Sequence, residues 1–127
     1  MMNIFKIGGI DNPSPMVKAI EKYPGMSIIK LTGAVDFNTI PPIENVVKKH
    51  QDYLDQDIVL DFKEVTHIDT STLAALIYII NKMKQRHKKL SLINCNELVR
   101  DYIKIGKLES VIHVYATIED ALSKANG

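Results

Sequence analysis

Apolar and polar residues form blocks that predict alternating strands and helices from residue 27 onward. Residues 27–32 are rich in β-branched and apolar side chains, and residues 57–62 hold a continuous apolar run typical of a strand buried on both faces. Residues 90–95 and 111–115 predict two further strands. Because helical segments separate these strands, we expect a small α/β domain with a mostly parallel sheet.

The segment before residue 27 predicts two shorter elements. Residues 3–10 alternate weakly, which predicts a first strand that adds an antiparallel edge to the sheet. Residues 16–23 carry apolar side chains at helical spacing and predict one or two helical turns. Pro24 and Gly25 are expected to end those turns.

Helix boundaries are predicted from capping residues. Asn38 and Thr39 precede two prolines, a pattern that predicts a helix start, with an apolar face continuing to residue 54. Asn96 is expected to cap a later helix, which Gly106 ends in the left-handed conformation. Thr117 is expected to cap a last short helix.

The most apolar helix is predicted directly after a cluster of polar side chains. Asp69, Thr70, Ser71 and Thr72 supply several capping oxygens at its start. Its predicted core stripe consists of Leu73, Leu76, Ile77, Ile80 and Met83. Further apolar residues widen the stripe, among them Ala74, Ala75 and Tyr78. The helix is therefore either buried on several sides or presents an exposed contact patch.

Composition and charge narrow the function classes. The chain of 127 residues is 46% hydrophobic and 24% charged, which suits one globular domain. Its net charge of +1 gives no electrostatic footprint for general nucleic-acid binding.

The lone cysteine, Cys95, excludes an internal disulfide and fits a reducing compartment. The longest apolar run, residues 73–80, is far shorter than the roughly 20 residues of a membrane span, and no secretory signal is evident. We therefore expect a cytoplasmic protein.

Motifs for catalysis and cofactor binding are missing from the sequence. There is no glycine-rich phosphate loop, nucleophile elbow or zinc-protease motif, and the four histidines lack metal-ligand spacing. We expect no metal, no cofactor and no catalytic residue. Cys95 lies in an apolar strand, where cysteine usually behaves as a small inert hydrophobe.

The cluster at residues 69–72 has two interpretations. In the first, its side chains only cap the helix. In the second, it is a phosphorylatable helix start: a phosphate there carries a charge of about −1.5 to −2 and is tolerated by the free N–H groups and the helix dipole. Such a phosphate would alter a docking surface without unfolding the domain, which makes a switch.

At these residues the sequence resembles a STAS domain, the family of anti-sigma factor antagonists and of the cytoplasmic tails of sulfate-type anion transporters. The resemblance covers about residues 27–125. It is carried in order by residues 31–39, 58–62, 68–73, 90–94 and 117–122. It implies a single domain over residues 1–127, with a four- or five-stranded mixed sheet and helices mainly on one face. Residues 1–26 are then an atypical N-terminal strand and extension.

The resemblance also implies site residues and a partner. Thr70 takes the position that an anti-sigma factor kinase phosphorylates in bacterial antagonists, where serine is usual, and Thr72 replaces the usual glycine and is expected to add bulk where a partner approaches. The unphosphorylated form would bind the anti-sigma factor/serine–threonine kinase, and phosphorylation would end binding and so control sigma-factor-dependent transcription. The expected partner-binding residues are Asp36, Asp69, Ser71, Thr72, Ala74, Ala75 and Tyr78.

Two other functions stay open at this point. One is a sensor or scaffold module that binds a nucleotide or anion at a helix start, in a stress-signalling assembly or with an anion transporter. The other is a small enzyme with Thr70 or Ser71 as nucleophile and His67 as base, although the sequence supplies no orienting third group. The sequence leaves the oligomeric state open, a homodimer included.

Overall fold

The computed structural model describes residues 17–36, 38–39, 45 and 56–125. Two predicted elements lie outside the described residues: the strand over residues 3–10 and the helix that follows Asn38 and Thr39. Of the second, only the turn at Asn38 and Thr39 and the single residue Asn45 are described. The described strands are β1 (Val17–Tyr23), β2 (Met26–Val35), β3 (Asp57–Ile68), β4 (Leu90–Ile93) and β5 (His113–Tyr115). The described helices are α1 (Thr70–Lys84), α2 (Glu97–Ile105) and α3 (Ile118–Ala125).

The strands form one five-stranded mixed sheet in the order β1-β2-β3-β4-β5. Strand β1 pairs with β2 in antiparallel orientation, and the remaining neighbours are parallel. The α/β class and the mixed sheet are thus confirmed. Strand β3 has a sheet neighbour on both sides, as the apolar run over residues 58–60 predicts. All of its residues from Ile58 to Phe62 are buried, including the charged Asp61.

The prediction of helical turns over residues 16–23 is wrong, because Val17–Tyr23 is the antiparallel edge strand. A register shift between Val17 and Ala19 places Val17 and Ile20 against the same core, so their spacing of three imitates a helix. Pro24 and Gly25 form the two-residue hairpin turn to β2. Gly25 has φ +77°, which only glycine adopts readily at this turn position.

The helices are divided between the two faces of the sheet. Helices α1 and α2 pack on the larger core through side chains such as Leu76 and Val99, against Ile58 and Leu60 of β3. Helix α3 packs on the opposite face through Ala121, in a smaller cluster that contains Val59. Strand β3 therefore supplies alternate side chains to two cores, as the two-residue period of a strand requires.

Several predicted boundaries are wrong. Strand β3 continues past residue 62 to Ile68, β4 ends at Ile93 instead of residue 95, and β5 begins at His113 instead of residue 111. Strand β2 continues past Gly33 to Val35, with a register irregularity between Gly33 and Ala34. Gly106 has φ −74°, so it does not end α2 in the left-handed conformation; Lys107 does, with φ +57°. The predicted caps Asn96 and Thr117 are confirmed, since their side-chain oxygens accept hydrogen bonds from the N–H groups of Val99 and Asp120. Within the described part of the chain, no helix is long and apolar enough to cross a membrane.

Candidate functional site

Helix α1 begins where β3 ends, and Asp69 fixes its first turn. Its carboxylate oxygen Oδ1 accepts a hydrogen bond from the backbone N–H of Thr72 at 2.9 Å. The backbone carbonyl of Asp69 also accepts from the N–H groups of Thr72 and Leu73, at 3.1 and 3.4 Å. Asp69, one of the capping residues that the sequence offers, is therefore the N-cap of α1, and its carboxylate is held in place by this hydrogen bond.

Thr72 lies inside the protein. Its side chain is fully buried, and its hydroxyl donates a hydrogen bond of 2.5 Å to the backbone carbonyl of Val35 at the end of β2. The same hydroxyl oxygen lies 3.1 Å from Oδ1 of Asp69. The expectation that Thr72 adds bulk to a partner surface is thus corrected. Its side chain instead connects the first turn of α1 to strand β2.

Asp36 follows Val35 directly and organises a tight turn. Its Oδ1 accepts hydrogen bonds from the backbone N–H groups of Asn38 and Thr39, at 2.9 and 3.2 Å. The backbone N–H of Asp36 in turn donates to the hydroxyl of Thr39 at 2.7 Å. Val35 pairs with Ile68 in the parallel sheet, so this turn and the start of α1 emerge at the same sheet edge. The structure thereby brings Asp36 close to the residues that begin α1.

Thr70 and its neighbours form the exposed part of this site. Thr70 is the first residue of α1 and is exposed, whereas Ser71 is half-buried. Further along the helix, Ala74 is exposed, and the side chain of Tyr78 is 57% exposed. Ala75 is half-buried and packs partly against the core. We call the surface made by the partly or fully exposed residues of this group the α1-start surface: Asp36, Asp69, Thr70, Ser71, Ala74, Ala75 and Tyr78.

The electrostatics of the α1-start surface have two opposing contributions. The first turn of α1 contains no acidic residue, so the partial positive charge at the helix start is not neutralised within the helix. Asp36 and Asp69 flank this turn. The carboxylate of Asp69 accepts a hydrogen bond from an N–H group of the turn, whereas that of Asp36 accepts from N–H groups in the Asp36 turn itself. A further negative group added at Thr70 would gain from the helix dipole and be repelled by the two carboxylates.

The residues proposed for an enzyme are not brought into a catalytic arrangement in the described part of the chain. The exposed ring of His67 contacts the hydroxyl of the adjacent Thr66, with 3.5 Å between Nδ1 and Oγ1. The pKa of the Cys95 thiol is raised to about 12, mainly by burial; the charge of Arg100 lowers it and that of Asp61 raises it, both by less than burial does. Cys95 lies two residues after the end of β4 and is half-buried, so its predicted place inside an apolar strand is wrong. Its raised pKa still favours the protonated thiol, which is the less reactive form.

One cleft lies away from Thr70, along α2. It has a volume of about 430 Å³ and is lined by residues that include Glu97, Arg100, Asp101, Lys104 and Glu109. Acidic and basic side chains alternate in this lining, so the cleft offers no concentrated positive charge for a nucleotide or another anion.

Two functional features were missed by the sequence analysis. The hydrogen bond between Thr72 and Val35 joins residues 37 positions apart, and no local pattern indicates it. Helix α2 exposes Leu98, Tyr102 and Ile105 to solvent. Their spacing of four and three residues around the buried Val99 and Ile103 could have separated them into a second stripe.

The described residues define a small α/β domain with a mixed sheet and an exposed hydroxyl at the start of its most apolar helix. The sequence model of the STAS domain matches residues 17–121, which include all five strands, α1 and α2. The chain therefore belongs to the STAS domain family.

Individual relatives are more distant. The chain is 22% identical to an anti-sigma-B factor antagonist of Staphylococcus aureus over 86 residues, which cover 68% of this chain and 80% of the relative. It is similar in fold to a candidate anti-sigma factor antagonist from Thermotoga maritima, with a TM-score of 0.80, 17% identity and coverage of 89% of this chain and 97% of that one.

The anti-sigma factor antagonist SpoIIAA of Bacillus also shares the fold. Its unphosphorylated form gives a TM-score of 0.69 at 15% identity, over 100% of this chain and 97% of that one. Its phosphorylated form gives a TM-score of 0.61 at 13% identity, over 98% and 99% of the two chains.

Proposed function

We propose that this protein is an anti-sigma factor antagonist. It binds an anti-sigma factor/serine–threonine kinase through the α1-start surface while Thr70 is unphosphorylated, and phosphorylation of Thr70 ends the binding. The protein thereby controls sigma-factor-dependent transcription in the cytoplasm, by binding and without catalysis of its own. The observation that carries the proposal is the exposed hydroxyl of Thr70 at the start of α1, beside a carboxylate that is fixed as the helix cap.

The contacts around Thr70 support a switch that acts on the surface. Asp69 and the buried Thr72 hold the helix start from the inner side, and neither contact involves the side chain of Thr70. A phosphate on Thr70 adds about −1.5 to −2 charge and is stabilised by the N-terminal end of α1. The fold is therefore kept in both states, while the charge and bulk of the docking surface change.

The two flanking carboxylates add to the negative charge that a partner meets when Thr70 is phosphorylated. A partner that docks on this surface meets Asp36 and Asp69 in the unphosphorylated state, and it must offer positive or hydrogen-bonding groups to both. Phosphorylation would nearly double the local negative charge and place the phosphate in the space next to the exposed Ala74. Both effects oppose the close contact that a tight interface needs.

Relatives support the same role. The Staphylococcus aureus relative is named as an anti-sigma-B factor antagonist, and SpoIIAA is described in both unphosphorylated and phosphorylated forms. This chain differs from the family motif by Thr70 in place of serine and Thr72 in place of glycine. The hydroxyl is retained at the first position, and the second substitution is accommodated inside the protein.

The test uses histidine-kinase-like anti-sigma factors encoded in the same genome. Each is purified, its binding to the full chain is measured by calorimetry, and the chain is incubated with it and ATP before the phosphorylated residue is mapped by mass spectrometry. We expect one such protein to bind, to phosphorylate Thr70 and to release the product. Phosphorylation at a residue other than Thr70 or Ser71 would contradict the proposal.

A matched pair of variants separates the site from a general effect of charge. Thr70→Glu should weaken binding by about tenfold or more, equivalent to about 1.4 kcal/mol. Thr66→Glu adds the same charge to an exposed threonine of β3 outside the α1-start surface, and binding should change by less than about twofold. Equal binding by wild type and Thr70→Glu would contradict the proposed switch.

A further inference from the structure

Helix α2 carries a stripe of exposed apolar side chains that belong to neither of the two cores formed by the described residues. Leu98 is 49% exposed, Tyr102 37% and Ile105 82%, and their spacing places them on one side of the helix. The residues that α2 contributes to the core, Val99 and Ile103, lie on a different side. Single exposed apolar residues are ordinary, but three in a continuous stripe on a helix of nine residues mark a contact surface.

We propose that this stripe is a homodimer interface, in which α2 packs in antiparallel orientation against α2 of a second copy of the chain. A two-fold axis midway between Leu98 and Ile105 would place Leu98 of each copy opposite Ile105 of the other. The two Tyr102 side chains would then meet beside the axis. A self-complementary surface of this kind is what a two-fold dimer requires.

The charges of α2 favour a second copy in this orientation. Glu97 stands in the first turn of α2 and Lys104 in the last turn, so antiparallel packing brings unlike charges together. With the axis midway along the stripe, Lys104 of the second copy falls between Glu97 and Asp101, about 3 Å from each along the helix axis. Antiparallel packing also places the opposite ends of the two helix dipoles side by side. Parallel packing would place each charge opposite its own copy.

The size of the stripe determines the affinity that we expect for the dimer. A helix of nine residues is about 14 Å long, and three exposed side chains supply less area than the roughly 800 Å² per partner of a standard interface. We therefore expect a dimer that dissociates in the micromolar range and forms as concentration rises. The stripe contains no residue of the α1-start surface, so the two surfaces can be tested separately.

The first experiment measures the mass of the full chain by sedimentation velocity from about 5 to 500 µM, a range that spans micromolar dissociation. Wild type should shift from monomer to dimer across this range. Ile105→Lys places a charge in the interface while suiting the C-terminal end of the helix dipole, and it should stay monomeric. Circular dichroism checks that the variant is folded. Monomeric wild type at every concentration, or a dimer that survives Ile105→Lys, would overturn the interface.

The control changes an exposed apolar side chain on another helix. Tyr78→Lys alters a residue of α1 that is 57% exposed and lies outside the stripe, so the monomer–dimer equilibrium should not change. In the anti-sigma factor binding assay the roles should reverse: Ile105→Lys should bind as wild type does, and Tyr78→Lys should bind more weakly. Failure of the dimer is thereby distinguished from failure of the proposed function.

A charge reversal tests the orientation. Lys104→Glu should weaken dimerisation several-fold, because an acidic group then faces Glu97 and Asp101 of the second copy. Adding Glu97→Lys and Asp101→Lys to Lys104→Glu should restore it. In a parallel dimer Lys104 faces itself, and Lys104→Glu would leave the affinity about unchanged. That result would exclude the antiparallel interface.

Discussion

At the scale of single residues, Thr72 shows how a departure from a family motif can serve the fold. A glycine at this position could not provide a hydroxyl, whereas Thr72 donates a hydrogen bond to Val35 and is fully buried. Because Val35 precedes Asp36, this contact and the pairing of Val35 with Ile68 together hold the Asp36 turn next to the start of α1. The surface proposed to bind a partner is therefore held in place from beneath.

The contribution of this hydroxyl can be measured. Thr72→Val keeps the shape of the side chain and removes the donor, which leaves the carbonyl of Val35 without this partner in a buried environment. We expect the free energy of unfolding in urea to fall by about 1–2 kcal/mol. Thr70→Val removes an exposed hydroxyl two residues earlier and should change it by less than about 0.5 kcal/mol. Equal losses in the two variants would show that the buried hydrogen bond contributes nothing specific.

Cys95 allows a prediction about reactivity. Burial raises the pKa of its thiol from the ordinary value of 9.0 to about 12, so the reactive thiolate is scarce near neutral pH. At pH 8 the folded chain should react with iodoacetamide about 1000-fold more slowly than the chain unfolded in urea, since only the thiolate attacks. Equal rates in the folded and unfolded chains would mean that the thiol is not protected.

The same raised pKa predicts how stability depends on pH. The folded state holds the thiol proton more tightly than the unfolded state, so the unfolded chain loses its proton first as the pH rises. The protonated thiol therefore makes its full contribution to the free energy of unfolding below pH 9.0, and this contribution is lost progressively towards about pH 12. Cys95→Ala should remove this part of the alkaline destabilisation in urea titrations at several pH values. An unchanged alkaline slope in that variant would contradict the assignment.

At the scale of elements, local pattern predicted those strands and caps whose determinants are adjacent in sequence. The continuous apolar run of β3 and the caps Asp69, Asn96 and Thr117 are of this kind. Strand β1 was missed because its register shift breaks the two-residue alternation that identifies a strand. Its identity is decided by pairing with β2, and the Pro24–Gly25 turn was the local signal for that hairpin.

The end of α2 also differs from the prediction, by one position in the residue that takes the left-handed conformation. The N–H of Lys107 donates to the carbonyl of Lys104, and the N–H of Leu108 donates to that of Ile103, which is the Schellman pattern of a helix end. The left-handed residue of that pattern is Lys107, one position after the glycine that the sequence suggests. The glycine therefore stands next to the position where it would relieve strain.

This arrangement predicts opposite responses at neighbouring positions. Lys107→Gly should stabilise the protein by about 0.5–1 kcal/mol, because glycine adopts positive φ without steric cost. Gly106→Ala should change stability by less than about 0.5 kcal/mol, since its φ is ordinary and the new methyl group would lie 3.3 Å from the flexible end of Leu108. Thermal unfolding of both variants checks this. A large loss in Gly106→Ala would place the left-handed residue at 106 instead.

At the scale of the whole molecule, the sheet order explains why the proposed switch site is compact. Strands β2 and β3 are parallel neighbours, so residues that follow them, Asp36 and Asp69, emerge at one edge although they are far apart in sequence. The sequence could predict that Asp69, Thr70 and Ser71 begin a helix. It could not predict the inward direction of Thr72, which depends on where the end of β2 lies.

A surface switch and a switch by unfolding predict different hydrogen exchange. If the charge at Thr70 acts only on the α1-start surface, Thr70→Glu should alter exchange in the first turn of α1 and the Asp36 turn. Amides from Ile58 to Phe62, which are buried in the central strand, should keep the slow exchange that reports global unfolding. Mass spectrometry of wild type, Thr70→Glu and the matched Thr66→Glu variant makes the comparison. Faster exchange throughout β3 and β4 in Thr70→Glu alone would mean that the added charge destabilises the core. The loss of partner binding would then result from unfolding and not from a changed docking surface.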